Sequence, residues 1–256
     1  MGSAYLSPAR GPSSRRLLDI QWSHPVYKGA SKKDGERTQS TEQRKALPAD
    51  EALRFIAGKD KRPLLILREC LTCTGTEDAL LTRKSDNERT YLLSQWFHCV
   101  KLPPDVLEDD HPFRNLFAGD TAAHLFVCNA DGSGRTNLSG SKMRSRKALW
   151  DAMEGAMKSN YKKSPKKPLR TLANLLDDLD QVDLAVSELE TKLELAIAKD
   201  GPEDRRTQKL MKKMAGLRAK RTDLYEKVAE AAKLQLKPPV AGATKSDLDQ
   251  PAENKG

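Results

Sequence analysis

The segment KRPLLILRECLTCTGTEDALL, residues 61–81, decides how this chain is expected to fold. Its continuous apolar run, 62–67, is typical of a strand that is buried on both faces of a sheet. Cys70 and Cys73 follow, and then Thr76, a favourable N-cap, with acidic residues in the first turn of a predicted helix. The segment therefore predicts a strand, a cysteine-bearing loop and a helix, which is an arrangement typical of a dithiol redox site.

Patterns on both sides extend this unit into a small α/β domain, predicted over 48–161. Apolar periodicity and turn residues predict further elements in this order: a helix from 48 to 58, a helix over 85–96, a strand over 97–103, a short helix over 111–119, a β-hairpin over 123–140 and a helix over 144–160. Strands joined by helices should be parallel, whereas the hairpin should add an antiparallel strand. We expect a sandwich with helices on both faces of the sheet.

The segment before this domain is predicted to be different in character. Residues 1–47 are rich in Ser, Lys, Arg, Gly and Pro and have little apolar periodicity, so we expect a flexible basic N-terminal arm. Within it, 17–22 (LLDIQW) has the pattern of an edge strand. At the other end, 238–256 is expected to be a disordered tail.

Two long amphipathic patterns follow a basic linker that begins at 162. Apolar residues recur at steps of three and four over 168–199 and again over 203–235, with Gly201 and Pro202 between them. Two such helices with a short turn should fold back as an antiparallel, coiled-coil-like hairpin. The first pattern is mainly acidic and the second mainly basic, so opposite charges should favour the pairing.

Composition narrows the class of protein. Of 256 residues, 38% are hydrophobic and 32% charged, so polar segments must dilute a comparatively small core. The four cysteines are too few for the framework of a small secreted protein. No apolar stretch of about 18 residues is present, and 1–22 lacks the apolar core of a signal peptide. We expect a cytoplasmic protein without a membrane span, although a removed leader would change the expected location.

The middle of the chain, about residues 48–160, resembles the thioredoxin-like fold family. The resemblance rests on an apolar strand after Lys-Arg-Pro, a cysteine loop leading to a helix, the strand FHCVKLP (97–103), and the closing strand–turn–strand HLFVCNADGSGRTNLSG (124–140). It implies a thioredoxin-like three-layer α/β sandwich, to which the predicted helical hairpin is appended.

The resemblance also implies roles for particular residues. It makes Cys73 the nucleophile at the start of a helix, with Thr76 at the position of the family's resolving cysteine and Cys70 in the preceding loop. Ala123 stands at the position of the family's cis-proline, with Thr121 nearby, so both are expected at the substrate-binding loop. Because no proline occurs there, that loop should have a changed shape.

Three interpretations of the two cysteines remain open from the sequence. In the first, Cys73 attacks and Cys70 resolves, as in a thiol–disulfide oxidoreductase. In the second, the site is degenerate and the domain is a protein-binding adaptor that keeps thiol chemistry at Cys73. In the third, both bind a metal; His98 and Cys99 are the tempting further ligands, but consecutive strand residues point to opposite faces. Metal is therefore disfavoured, and no cofactor is expected.

The adaptor with a degenerate redox site is the first functional expectation, and the oxidoreductase is the alternative. The expected partner is a protein, bound through the helical hairpin, and dimerisation would use the same surface. The net charge of +9 keeps a third hypothesis open, a nucleic-acid- or ribosome-associated basic protein. We interpret Cys99 and Cys128 as buried packing residues and His98 and His124 as structural ones.

Overall fold

The computed structural model describes residues 10–27, 45–70, 80–82, 87–118 and 123–238. Within these ranges the chain forms five β-strands and six α-helices. The strands are β1 (Trp22–Ser23), β2 (Leu64–Arg68), β3 (His98–Leu102), β4 (Leu125–Cys128) and β5 (Thr136–Leu138). The helices are α1 (Pro12–Arg15), α2 (Ala49–Ala57), α3 (Glu88–Ser94), α4 (Arg146–Asn160), α5 (Lys166–Asp200) and α6 (Arg205–Ala231). The prediction of an α/β chain with a long C-terminal helical region is confirmed.

The sheet is mixed, and its strand order is β1-β3-β2-β4-β5. β3 is parallel to both β1 and β2, whereas β4 is antiparallel to β2 and to β5. In the register of the central strand, Leu64 pairs with His98 on one side and with Cys128 on the other. A helix-containing connection reverses the chain direction twice and produces a parallel pair, whereas the short turn between β4 and β5 produces an antiparallel one.

Side chains alternate along β2 and build a core on each face of the sheet. All five residues of β2 are buried, as expected of a central strand covered on both sides. Leu64 and Ile66 face the smaller core, which α2 and a short 3₁₀ turn at Arg114–Phe117 complete. Leu65 and Leu67 face the larger core. The larger core also contains apolar residues of α3, α4, α5 and α6.

The helical hairpin packs into this larger core. Leu179 of α5 and Leu224 of α6 belong to the same buried cluster as Leu65 of the sheet. The indole nitrogen of Trp96 donates a hydrogen bond to the carbonyl of Ala232 at 2.7 Å, just after α6 ends. Because the hairpin shares its apolar residues with the sheet, the two should unfold together.

Direct ion pairs between α5 and α6 do not hold the hairpin in the described part of the chain. The described ion pairs with both members on the hairpin do not cross from one helix to the other; examples are Lys192 with Glu188 at 3.7 Å and Lys227 with Asp223 at 2.7 Å. Opposite charges on α5 and α6 were expected to favour their pairing, but among the described residues no ion pair joins the two helices. The apolar stripe holds the helices together, since eight of its α5 residues are buried.

Part of the segment expected to be a flexible arm is instead packed, over residues 10–27. The guanidinium of Arg10 pairs with Glu88 at 2.8 Å and with Asp180 at 2.8 Å. The amide of Ser13 donates to Asp183 at 2.7 Å. The prediction of a flexible arm from polar composition is wrong for residues 10–27, because hydrogen bonds and ion pairs hold them on the acidic face of α5. β1 lies at the sheet edge but shares only Trp22 with the edge strand predicted over 17–22.

Local turns account for other details. The helix predicted over 111–119 is only a 3₁₀ turn, Arg114–Phe117. In the turn between β4 and β5, Gly132 has a φ of +87°, and a Cβ there would lie 2.5 Å from Cδ1 of Leu53. Glycine is therefore required both by the left-handed backbone and by the close approach of α2.

Candidate redox site

The residues that follow β2 lie at one end of the sheet, where β2 is flanked by β3 and β4. β2 and β3 are parallel and end together, and antiparallel β4 begins beside them. The amide of Arg68 donates to the carbonyl of His124 at 2.8 Å, and the amide of Glu69 to that of Leu102 at 2.9 Å. Cys70 is therefore attached to a firmly hydrogen-bonded strand end. In open α/β sheets the crevice outside the carboxyl ends of the strands is a common ligand site.

The cysteines fall into two chemical classes. Cys70 is disulfide-bonded, whereas Cys99 and Cys128 are free. Burial raises the pKa of Cys99 and of Cys128 to about 12 in each case, so neither forms the reactive thiolate near neutral pH. Cys73 and Thr76 lie outside the described residues.

Arg68 is a buried positive charge beside Cys70. The residue is 6% exposed, and its Nη2 lies 3.1 Å from Nδ1 of His124. Its Cζ lies 5.9 Å from the centroid of the Phe117 ring. Its Nε is buried without a hydrogen-bond partner, and in the described part of the chain the guanidinium pairs with no carboxylate. Burial lowers the pKa of Arg68.

His124 cannot balance that charge. Burial, together with the positive charge of Arg68, lowers the pKa of His124 below its ordinary value. The ring is therefore neutral near pH 7 and accepts a hydrogen bond from Arg68. Sequence reasoning treated His124 as structural and gave Arg68 no role. The signal in the sequence was Arg68 itself, a charged residue at the end of an apolar run.

Glu69, the acidic neighbour of Cys70, is engaged elsewhere. Its carboxylate lies 2.8 Å from Nζ of Lys101 on β3, and its side chain is 39% exposed. A carboxylate disfavours a neighbouring thiolate, but this ion pair and the contact with solvent weaken that effect. The local charge balance around Cys70 therefore favours an anion.

The expected substrate-binding loop is described only in part. Ala123 is 3% exposed and immediately precedes His124, which contacts Arg68. Within the described residues no peptide bond is cis. Thr121 lies outside the described residues.

The structure separates the tempting metal ligands. His98 begins β3 and pairs in register with Leu64, whereas Cys70 follows the other end of β2. At about 3.3 Å per residue, the five-residue strand puts them at opposite edges of the sheet. Among the described residues, no group of three or more His, Cys, Asp or Glu side chains is arranged to hold a metal ion.

The hairpin leaves little of its apolar stripe for a partner. Leu172, Leu176 and Leu179 on α5 are buried in the core shared with the sheet. The large apolar side chains that remain exposed on the described hairpin are Leu184 (64%), Leu195 (68%), Ile197 (38%) and Met211 (37%). None of the helices in the described ranges combines the length and the apolar character needed to cross a membrane.

Similarity to known proteins does not assign the chain to a family. Comparisons with protein-family models, with curated proteins and with solved structures found no match. The functional argument therefore rests on the chemistry of the strand end that carries Cys70.

Proposed function

We propose that this protein is a thioredoxin-like thiol–disulfide oxidoreductase that uses Cys70 and Cys73. The observation that carries the proposal is the disulfide at Cys70. The chain has four cysteines, and Cys99 and Cys128 are free. We therefore infer that Cys73 is the partner of Cys70. Residues three apart in a loop can meet the Cα separation that a disulfide requires.

The fold is consistent with this proposal. The mixed sheet, with parallel strands joined through helices and a closing antiparallel hairpin, agrees with the element order on which the thioredoxin-like resemblance rests. The Cys70 segment leaves the central strand at the edge where ligands commonly bind. Cys70 is partly exposed, whereas Cys99 and Cys128 are buried in the cores.

The proposed reaction begins with the reduced protein. The thiolate of Cys73 attacks one sulfur of a substrate disulfide, which forms a mixed disulfide and releases the other substrate sulfur as a thiolate. Cys70, as its thiolate, then attacks the Cys73 sulfur and releases the second substrate thiol after protonation. The substrate gains two electrons, and the protein loses two and is left with the Cys70–Cys73 disulfide. A dithiol reductant returns the protein to its starting state.

Arg68 supplies the electrostatic part of this chemistry. Its guanidinium is buried, unbalanced by any described carboxylate, and two residues from Cys70. A thiolate that forms on reduction gives this charge a counter-ion, and the charge in turn lowers the thiol pKa. His124 holds the guanidinium through a ring nitrogen and, because it is neutral, leaves its charge available.

The test is turnover of insulin disulfides with dithiothreitol as reductant. Wild-type protein should accelerate the reduction, and Cys73→Ser should abolish the acceleration. Cys70→Ser should instead accumulate the mixed disulfide, which mass spectrometry detects. Cys99→Ala is the matched control, because it removes a thiol that the proposed reaction does not use.

Two results would overturn the proposal. One is a wild-type protein that leaves the rate of insulin reduction unchanged. The other is a disulfide map in which Cys70 is paired with a cysteine other than Cys73 or is free after mild oxidation. A map with the Cys70–Cys73 disulfide but without turnover would favour the degenerate-site adaptor over the oxidoreductase.

A further inference from the structure

The solvent-facing side of α6 carries a dense positive charge. Between 205 and 221 the chain has eight basic residues and no acidic one. Seven of them are exposed, and five of these lie, at about 100° per residue, within an arc of about 100° that borders the buried stripe of α6: Arg205, Lys209, Lys212, Lys213 and Lys220. We call these five residues the α6 basic ridge. At about 1.5 Å rise per residue the ridge is about 22 Å long.

Carboxylates do not neutralise the ridge. In the part of the chain that the structure describes, no ion pair involves a ridge residue, and the α6 pair of Asp223 with Lys227 lies beyond it. Three acidic residues of α5, Asp177, Asp180 and Asp183, are engaged by the N-terminal segment. Asp180 accepts hydrogen bonds from Arg10 and from the amide of Gly11, each at 2.8 Å.

The N-terminal segment also lies between the acidic face of α5 and α6. The hydroxyl of Tyr225 donates to the carbonyl of Ser13 at 3.2 Å. Beside this contact, Arg16 and Arg221 line a cavity of about 360 Å³. The segment therefore screens the acids of α5 and adds a cation of its own near the ridge, which extends the positive surface.

We propose that the α6 basic ridge binds the phosphate backbone of duplex nucleic acid without reading its sequence. A duplex carries about one negative charge per 1.7 Å of its axis, so the ridge faces about six base pairs. Exposed Lys and Arg on a straight helix contact phosphates, which position a protein but carry no sequence information. Nucleic-acid binding by the ridge is independent of thiol chemistry at Cys70.

The surroundings of the ridge favour a duplex over other polyanions. Binding to single strands relies on exposed aromatic side chains on which bases stack, and 205–221 contains no aromatic residue. Binding to a membrane surface relies on an apolar helix face that enters the headgroup region. The apolar stripe of α6, with Met214 and Leu224, is buried in the core.

The experiment is fluorescence anisotropy of the full chain with a labelled duplex of about 20 base pairs and mixed sequence, at increasing salt. Five phosphate contacts predict a slope of about −4.5 in log K against log salt, or about a 500-fold loss between about 50 and 200 mM. Replacing all five ridge residues with glutamine, which keeps helix propensity, should remove most of the affinity and flatten the slope toward zero.

The matched control replaces five exposed cations on the α/β part of the chain with glutamine: Lys59, Lys61, Lys142, Arg144 and Lys147. It changes the net charge equally, and circular dichroism verifies that both variants keep their helices. The proposal is overturned if the ridge variant keeps the wild-type slope, if the control loses as much affinity, or if wild type does not bind at about 50 mM salt. Tighter binding to phosphatidylserine-containing vesicles than to the duplex would also overturn it.

Discussion

Replacing Arg68 with methionine should raise the pKa of the redox-site thiol and at the same time preserve or increase stability. Arg68 is 6% exposed, its Nε has no hydrogen-bond partner, and its side-chain partner is the neutral ring of His124. Methionine fills similar space without a charge. Both effects follow from the charge of Arg68. The charge stabilises a nearby thiolate, but its burial destabilises the folded protein.

The size of the pKa effect follows from the distance. Cys70 is two residues beyond Arg68, which allows a separation of about 6–10 Å between guanidinium and thiolate. At an effective dielectric constant of about 20, the attraction is about 1.7–2.8 kcal/mol. Losing it should raise the thiol pKa by about one to two units. Removing a buried charge that pairs with no described carboxylate should leave the free energy of unfolding unchanged or raise it, by up to about 4 kcal/mol.

The assay is the pH dependence of iodoacetamide alkylation of the reduced protein, followed by mass spectrometry. The lower of the two coupled pKa values is compared between variants, because two interacting thiols titrate as a pair. Arg135→Met is the control, since Arg135 also stacks on an aromatic ring, with Cζ 3.8 Å from the centroid of Phe126, but at another end of the sheet. An unchanged thiol pKa in Arg68→Met, together with reduced stability in urea, would show that Arg68 is purely structural.

Three further outcomes are expected. Leu179→Ala should lower the free energy of unfolding by about 2–5 kcal/mol within a single urea transition, because Leu179 is fully buried in the core shared by hairpin and sheet; a separate early transition would contradict that shared core. Burial opposes ionisation of Asp180, but hydrogen bonds from Ser14 and Arg10 hold its pKa below the ordinary value of 3.8. Its stabilising effect, measured by thermal unfolding of wild type against Asp180→Asn, should be full above that value and disappear as pH falls through the lower folded pKa. Cys99 and Cys128 should resist alkylation in the native protein and react only after unfolding.

Local pattern was sufficient for most elements of the fold. The uninterrupted apolar run before Cys70 predicts a strand covered on both faces, and β2 is buried along its whole length. The Asp-Gly turn predicts the β4–β5 hairpin, and the turn at Gly201 separates the two long helices. These features depend on side-chain period and on backbone conformations that few residues adopt, and both are encoded over a few neighbouring residues.

The sequence predicted the candidate site less completely. The Cys70 and Cys73 spacing, and the strand before it, indicate where thiol chemistry belongs. Neither indicates that Arg68 is buried away from the described carboxylates or that His124 is its partner. Arg68 and His124 are 56 positions apart in the chain and meet through the pairing of β2 with β4.

The packing of residues 10–27 against α5 also could not be predicted from neighbouring residues in the sequence. Composition predicts a flexible arm from Ser, Arg and Gly, yet Arg10 and Ser14 lie on the acidic face of α5, about 170 positions later in the chain. That contact takes up acids that would otherwise oppose the charge of α6. Most strands and helices and the cysteine pair can be predicted from the sequence, because their signals are local. Which charges are neutralised depends on the fold, because distant surfaces must first be brought together.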